Sequence, residues 1–205
     1  MSEPKFQRRK EDRPQEITEA AFEAFAEKGY AATRVDEVAK RAGVSKGLLY
    51  LYFKTKEELF KAVVRSVVIP RLDALIEAVE RSDRTSEEFL RGPFLDFAKT
   101  VPGSPIAVVI RLLVSEGRKH PDLLDFYHDN VISRGHDAIA AFLERGVQQG
   151  EFRRSAVTES PYLFIMPVIF SVILKSLLAE RSPDTDKLIE TQLDLLIAHM
   201  KGDVS

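Results

Sequence analysis

Apolar positions recur at helical spacing almost from end to end of the chain, and no stretch alternates with the period of a strand. Asp12 and Pro14 open the first run, in which Ile17, Ala20, Ala21, Ala24 and Phe25 form one stripe that Phe22 widens, and Gly29 closes it. Thr33 then stands as an N-cap with an acid, Asp36, three places on. Val35, Val38, Ala39 and Ala42 follow at helical spacing up to Gly43, which takes the left-handed conformation without strain. Val44 plugs the angle, Ser45 caps a second short helix, and Leu49 and Phe53 share its inner face. Thr55 with Glu58 makes a further capping box, so that second helix ends near Phe53. Two short helices about a glycine turn make a helix-turn-helix.

The rest reads as helical pieces cut by proline and glycine. A long helix runs from Thr55, with a kink expected near Ser66–Ile69 ahead of Pro70. Thr85 to Thr100 is helical with an interruption near Gly92-Pro93, and Val101 to Pro105 is a turn. Ile106 to Arg118 and the long amphipathic stretch Asp122 to Gly146 are helices, and Gln148 to Phe152 turns the chain back. Pro161 to Leu174 holds fourteen residues without a charge, so it is expected to be buried on all sides. A membrane helix needs ~20 apolar residues, and Lys175 ends this run early, so no membrane is expected as a partner. A last helix starts at Ser182-Pro183-Asp184. The fold class is all-α: a three-helix reading domain over residues 13–60, a larger helical body over 61–205 for ligand binding and dimerisation, and a polar tail over 1–12. That tail, with Arg8, Arg9 and Lys10, is either flexible or a basic arm along DNA.

Composition narrows the classes. Apolar residues at 44% and charged residues at 30% fit a globular protein, and the absence of cysteine excludes thiol chemistry and disulfides. The first residues, MSEPKFQRRKEDRP, have no apolar signal region, and a cytoplasmic location is expected. The chain carries a net charge of −2, yet the nineteen residues Val38–Lys56 hold five cations and no acid. Such a stretch suits a polyanion. Lys46, Gly47 and Tyr50 lie beside the Leu49 and Phe53 face, where a recognition helix meets the major groove. Ser45 and the N–H groups at that helix start suit phosphate oxygens, and Gly47 permits close backbone approach.

Catalytic chemistry is missing from the pattern. There is no Gly-rich phosphate loop, no HExxH and no GxSxG, so neither an enzyme nor a cofactor is expected. His128 and His136 are eight apart, ~12 Å along a helix, too far to share a metal. Phe94, Phe97, Phe126, Tyr127, Phe164, Met166 and Phe170 are either core or the lining of a pocket between helices. Two apolar C-terminal helices suggest a four-helix interface with a twofold mate, and hence a palindromic DNA site.

The order AFAEKGYAATRVDEVAKRAGVSKGLLYLYFKTKEELF resembles the DNA-binding domain of the TetR/AcrR family of bacterial transcriptional regulators, over roughly Pro14 to Val64. The resemblance implies phosphate contacts at Thr33, Tyr52 and Lys56, and groove contacts at Ser45, Lys46, Gly47 and Tyr50, helped by Arg34 and Val35. Leu48 and Leu51 depart from the family pattern, and Leu48 either meets a thymine methyl or packs inward. The resemblance further implies a homodimeric repressor with an apolar or aromatic effector bound among the central helices. An effector-independent architectural DNA binder with a protein partner, and a helical enzyme or carrier, are the rival classes.

Overall fold

The computed structural model describes residues 5–202, with side chains from residue 13 onward. Among the described residues every regular element is helical. The chain forms two compact units. One combines the chain up to Val68 with Leu112–Phe126, and the other combines Ile69–Arg111 with the chain from Tyr127. The first unit thus extends past residue 60, which falls inside a helix, and takes in a second segment from beyond residue 100.

In the first unit, α1 (Lys5–Ala32) packs on α4 (Lys56–Val67) and on α2 (Val35–Arg41), which packs in turn on α3 (Lys46–Tyr52). The expected stripe of Ile17, Ala20, Ala21, Ala24 and Phe25 is buried, with Val38 and Ala39 from α2, Leu49 from α3, and Leu59, Phe60, Val63 and Val64 from α4. Phe25, Tyr30 and Phe60 meet ring to ring at 5.5, 5.8 and 6.1 Å between centroids. Each such pair adds about 0.5–1.5 kcal/mol beyond its buried area.

Three local expectations change. The helix opens at Lys5 rather than at Asp12, and Pro14 lies inside it. The segment KFQRRKEDR is made largely of good helix formers, which carry the backbone through the lost N–H. A tail over 1–12 is therefore helical backbone from Lys5, and residues 1–4 lie outside the described residues. Gly29, at φ 78°, breaks α1 as expected.

Thr33 does not cap α2. Arg34 takes that position without a side-chain bond, while the Thr33 hydroxyl donates to the carbonyls of Ala24 and Gly29 at 3.1 and 2.7 Å. A carbonyl oxygen has two lone pairs, so both can take the hydroxyl near the end of α1, where the Gly29 kink interrupts the helix. Ser45 and Thr55 do cap, accepting from the amides of Leu48 and Glu58. Gly43, at φ 65°, turns α2 into α3, and the Val44 amide closes on the Ala39 carbonyl at 3.0 Å.

In the second unit, α5 (Ile69–Glu80) starts after a break at Val68, which places Pro70 in its first turn, where no amide is missed. Helix α6 (Ser86–Phe89) runs through a widened turn, Leu90–Phe94, into α7 (Leu95–Thr100); Gly92 and Pro93 sit in that turn. After α8 (Pro105–Glu116), the expected single helix is divided into α9 (Pro121–Tyr127), a widened turn His128–Ile132, and α10 (Ser133–Gln148). Two helices close the chain, α11 (Tyr162–Leu178) and α12 (Thr185–Lys201), and Asp184 caps the last by accepting from Asp186 and Lys187.

Helix α11 overturns the expectation of burial on every side. Phe164, Pro167, Val168, Ser171 and Val172 are buried, and the helix packs on α12 and α7. Tyr162, Met166, Phe170 and Leu177 are 51, 56, 53 and 74% exposed, and their spacing puts them on one face. Leu195 of α12 is exposed as well. A helix with apolar residues all round meets neighbours on half its surface here, so the other half stays bare. Tyr162–Arg181 is 20 residues, long and apolar enough to cross a membrane.

Candidate nucleic-acid interface

Leu49 anchors α3, and everything else on that helix is displayed around it. Ser45, Lys46 and Gly47 are exposed, Leu48, Tyr50 and Tyr52 are half-buried, and Val35 is half-buried on α2 beside exposed Arg34. Leu51, absent from the expected contacts, is 70% exposed. It stands four residues from Gly47, hence on the same outward face. That spacing was the available signal for it. Leucine at such a place offers an apolar contact of the kind a thymine methyl provides.

The charge run looks more basic in sequence than in space. Arg41 donates to Glu27 at 2.5 and 2.7 Å and to Glu23 at 3.0 Å, tying α2 to α1. Its guanidinium holds the Glu27 carboxyl below the usual range. Lys54 donates to the Tyr50 carbonyl at 2.8 Å. Lys56 turns inward to the carbonyls of Tyr30, Ala31 and Thr33. Arg34, Lys40, Arg41, Lys46 and Lys54 are the exposed cations around α2 and α3, and Arg41 and Lys54 among them are held by the bonds just described.

Lys46 is itself held. Its Nζ lies 2.6 Å from Asp36 Oδ1 and 5.9 Å from the centre of the Tyr50 ring. The hydrogen bond from Lys46 draws the Asp36 carboxyl below its usual range, and the carboxylate raises the Lys46 ammonium. An exposed pair of this kind holds only weakly, enough to bias the side chain and easily exchanged for a phosphate. Asp36→Asn is expected to strengthen binding to random duplex by up to about fivefold, the upper end of what an exposed pair is worth. Fluorescence anisotropy with a labelled non-operator duplex checks this; unchanged or weaker random binding would contradict it.

The seven expected pocket residues do not form one lining. Phe94 and Phe164 meet edge to face at 6.3 Å and are buried, and Tyr127 is buried with its hydroxyl pKa raised by that burial. Phe97 is half-buried. Phe126 belongs to the first unit, where Lys61 and Arg65 stand 5.5 and 4.8 Å from its ring centre. Met166 and Phe170 lie on the exposed face of α11, pointing away from the buried side that Phe164 occupies. An open cleft does lie along α6, lined by Arg84, Thr85, Glu87, Glu88, Arg91 and Gly92, none of them among the seven. No group of three or more His, Asp or Glu among the described residues is placed to hold a metal.

Comparison with known proteins agrees with this layout. Residues 17–63 match the model for bacterial regulatory proteins of the tetR family, and residues 90–196 match a tetracyclin repressor-like C-terminal domain. The fatty acid metabolism regulator protein of Bacillus subtilis is 24% identical over 193 residues, covering 92% of this chain and 97% of that one. The transcriptional repressor KstR2 of Mycolicibacterium smegmatis is 30% identical over 159 residues, covering 75% of this chain and 74% of its own. Among solved structures, FadR from Bacillus halodurans superposes with a TM-score of 0.75 at 20% identity, over 92% of this chain and 96% of that one. FadR from Bacillus subtilis in complex with stearoyl-CoA gives 0.65 at 23% identity, over 90% and 97%.

Proposed function

Because the chain belongs to the tetR family of bacterial regulatory proteins and is a DNA-binding transcriptional regulator rather than an enzyme, we propose that it is a cytoplasmic repressor. It works as a homodimer on a palindromic operator and leaves that operator when a small apolar effector binds. The observation that carries this reading is the bare apolar face of α11 beside α12. Burying one large apolar side chain is worth about 1.5–3 kcal/mol. Tyr162, Met166, Phe170 and Leu177, present on each of two copies, offer a self-complementary patch for a twofold axis. The other side of α11 is committed to its own chain, and Lys99 of α7 pairs with Glu190 of α12 at 2.9 Å to brace that packing. For both readers of such a dimer to enter successive major grooves, two copies of α3 must stand about 34–36 Å apart, one turn of DNA.

In this reading the reader uses Ser45, Lys46, Gly47, Leu48, Tyr50 and Leu51 at the groove, with Arg34, Val35 and Tyr52 at its flank. An effector need only bind one separation of the two readers better than the other. A fatty acyl chain is the effector class we favour. One structural neighbour carries stearoyl-CoA, and the buried face of α11 presents Phe164 with the Phe94 ring against it. On that face the Ser171 hydroxyl is buried without a protein partner, a group that a ligand or water satisfies.

Melting temperature tests the effector. A ligand at a hundred times its dissociation constant stabilises by about 2.7 kcal/mol. Palmitoyl- or stearoyl-CoA is expected to raise the midpoint in a concentration-dependent way, and coenzyme A alone is not. A flat response to every acyl chain would leave an effector-independent DNA binder.

A further inference from the structure

At the first residue of α4, Lys56 bends back over the end of α1. Its Nζ lies 2.8 Å from the Tyr30 carbonyl and 3.2 Å from the carbonyls of both Ala31 and Thr33. It also stands 4.5 Å from the centre of the Tyr30 ring. An ammonium group has three protons and accepts nothing. Three carbonyls therefore use its whole donor capacity, and they sit at the negative end of α1, where a cation is favoured. The next residue, Glu57, accepts the Tyr30 hydroxyl at 3.0 Å.

Tyr30 is 1% exposed, wedged against Phe25 and Phe60 and edge-on to His120 at 4.7 Å. Two consecutive residues of α4 thus hold the tyrosine by its backbone and by its hydroxyl. On the other side, Thr33 is fastened to the carbonyls of Ala24 and Gly29. The junction Tyr30–Thr33, which runs from the last turn of α1 beyond the Gly29 kink into the connector to α2, is pinned at both ends, and Arg34, the cap of α2, follows it directly. Helix α3 packs on α2 and is joined to it by a four-residue turn, Ala42–Ser45. The direction in which the pair leaves α1 is set at this connector.

We propose that Lys56 is a positioning residue for DNA recognition: it fixes the angle of α3 by locking the α1–α2 connector onto α4, and its ammonium makes no phosphate contact. The proposal rests on α3 being the reader. It departs from the phosphate role that the family resemblance implies, and the two roles give different results.

The test is the salt dependence of binding to operator and to random duplex, for the wild type, Lys56→Met and Lys56→Arg. A phosphate contact contributes about 0.9 to the slope of log K against log salt. A positioning residue contributes none. Lys56→Met is expected to lose about tenfold at the operator, as for a hydrogen-bonded charge removed, with little loss on random DNA and no change in slope. Lys56→Arg keeps the charge and binds phosphate well, but its flat fork cannot converge on three carbonyls. It is expected to lose operator preference too.

Equal losses on both DNAs with a flatter slope, or full binding by Lys56→Arg, would overturn the proposal. Should Lys56→Met melt below the assay temperature, Tyr30→Phe carries the same test. It removes the Glu57 bond, keeps the ring, and is expected to lower operator preference with the slope intact. Wild-type behaviour by Tyr30→Phe would count against the clamp. A wild-type protein with no preference for any duplex would instead overturn the assignment of α3 as reader, whatever the variants do.

Discussion

The double substitution Met166→Glu and Phe170→Glu is expected to give a folded monomer that has lost high-affinity operator binding. Both side chains stand on the bare face of α11, so glutamate there costs a lone chain little. In a twofold interface each carboxylate would lose its water and face apolar side chains of the other copy, at an effective cost of several kcal/mol per ion. Four such charges per dimer exceed what the apolar contacts supply. Light scattering is expected to show the wild type at twice the 23.2 kDa chain mass and the variant at that mass. Losing the second half-site removes the avidity that joins two readers, a factor of about 10²–10⁴. A wild type that is monomeric, or a variant that still dimerises, would contradict the interface. Partition of the wild type into lipid vesicles would give the bare face to a membrane instead.

Gly47→Leu is expected to separate folding from recognition, moving stability and binding in opposite directions. Among the described residues, nothing beyond its chain neighbours and its own helix backbone lies within 4 Å of where a Gly47 side chain would start, and its φ is not in the left-handed range. The helix therefore accepts a side chain, and replacing glycine there is worth about 0.5–1 kcal/mol. In the reading proposed above, the same position is where the backbone of α3 approaches DNA, and a leucine there would hold it away. Losing one good neighbouring base contact costs about 1–3 kcal/mol, or about 5- to 150-fold at the operator. Urea titration and anisotropy on one preparation check both signs. Reduced stability with intact binding would place Gly47 away from the groove.

What was legible in the sequence was local. The turn at Gly43, the caps at Ser45 and Thr55, the break ahead of Pro70 and the interruption at Gly92-Pro93 each depend on partners within a few residues. Their residue types carry the conformation directly. Thr33 and Lys56 read differently in space because their partners lie far off, at Ala24 and Gly29 for one and at Tyr30 to Thr33 for the other. A count of cations could not show that Arg41 answers two acids on α1.

Helix α11 shows a second limit. Uniform apolarity marks a helix that avoids water and leaves open whether its own chain or another copy covers it. The aromatic residues of the body show a related limit. Aromatic spacing places Phe126, Met166 and Phe170 on helices but not on a common side, and two of them face outward while one meets Lys61 and Arg65.

Selection of genomic DNA fragments by the purified protein at near-physiological salt tests the central claim most directly. Enrichment of one twofold-symmetric site, with half-sites about one helical turn apart, is the predicted result, and the genes beside it would point to the effector. Recovery of random fragments alone, or of none at any salt, would contradict it.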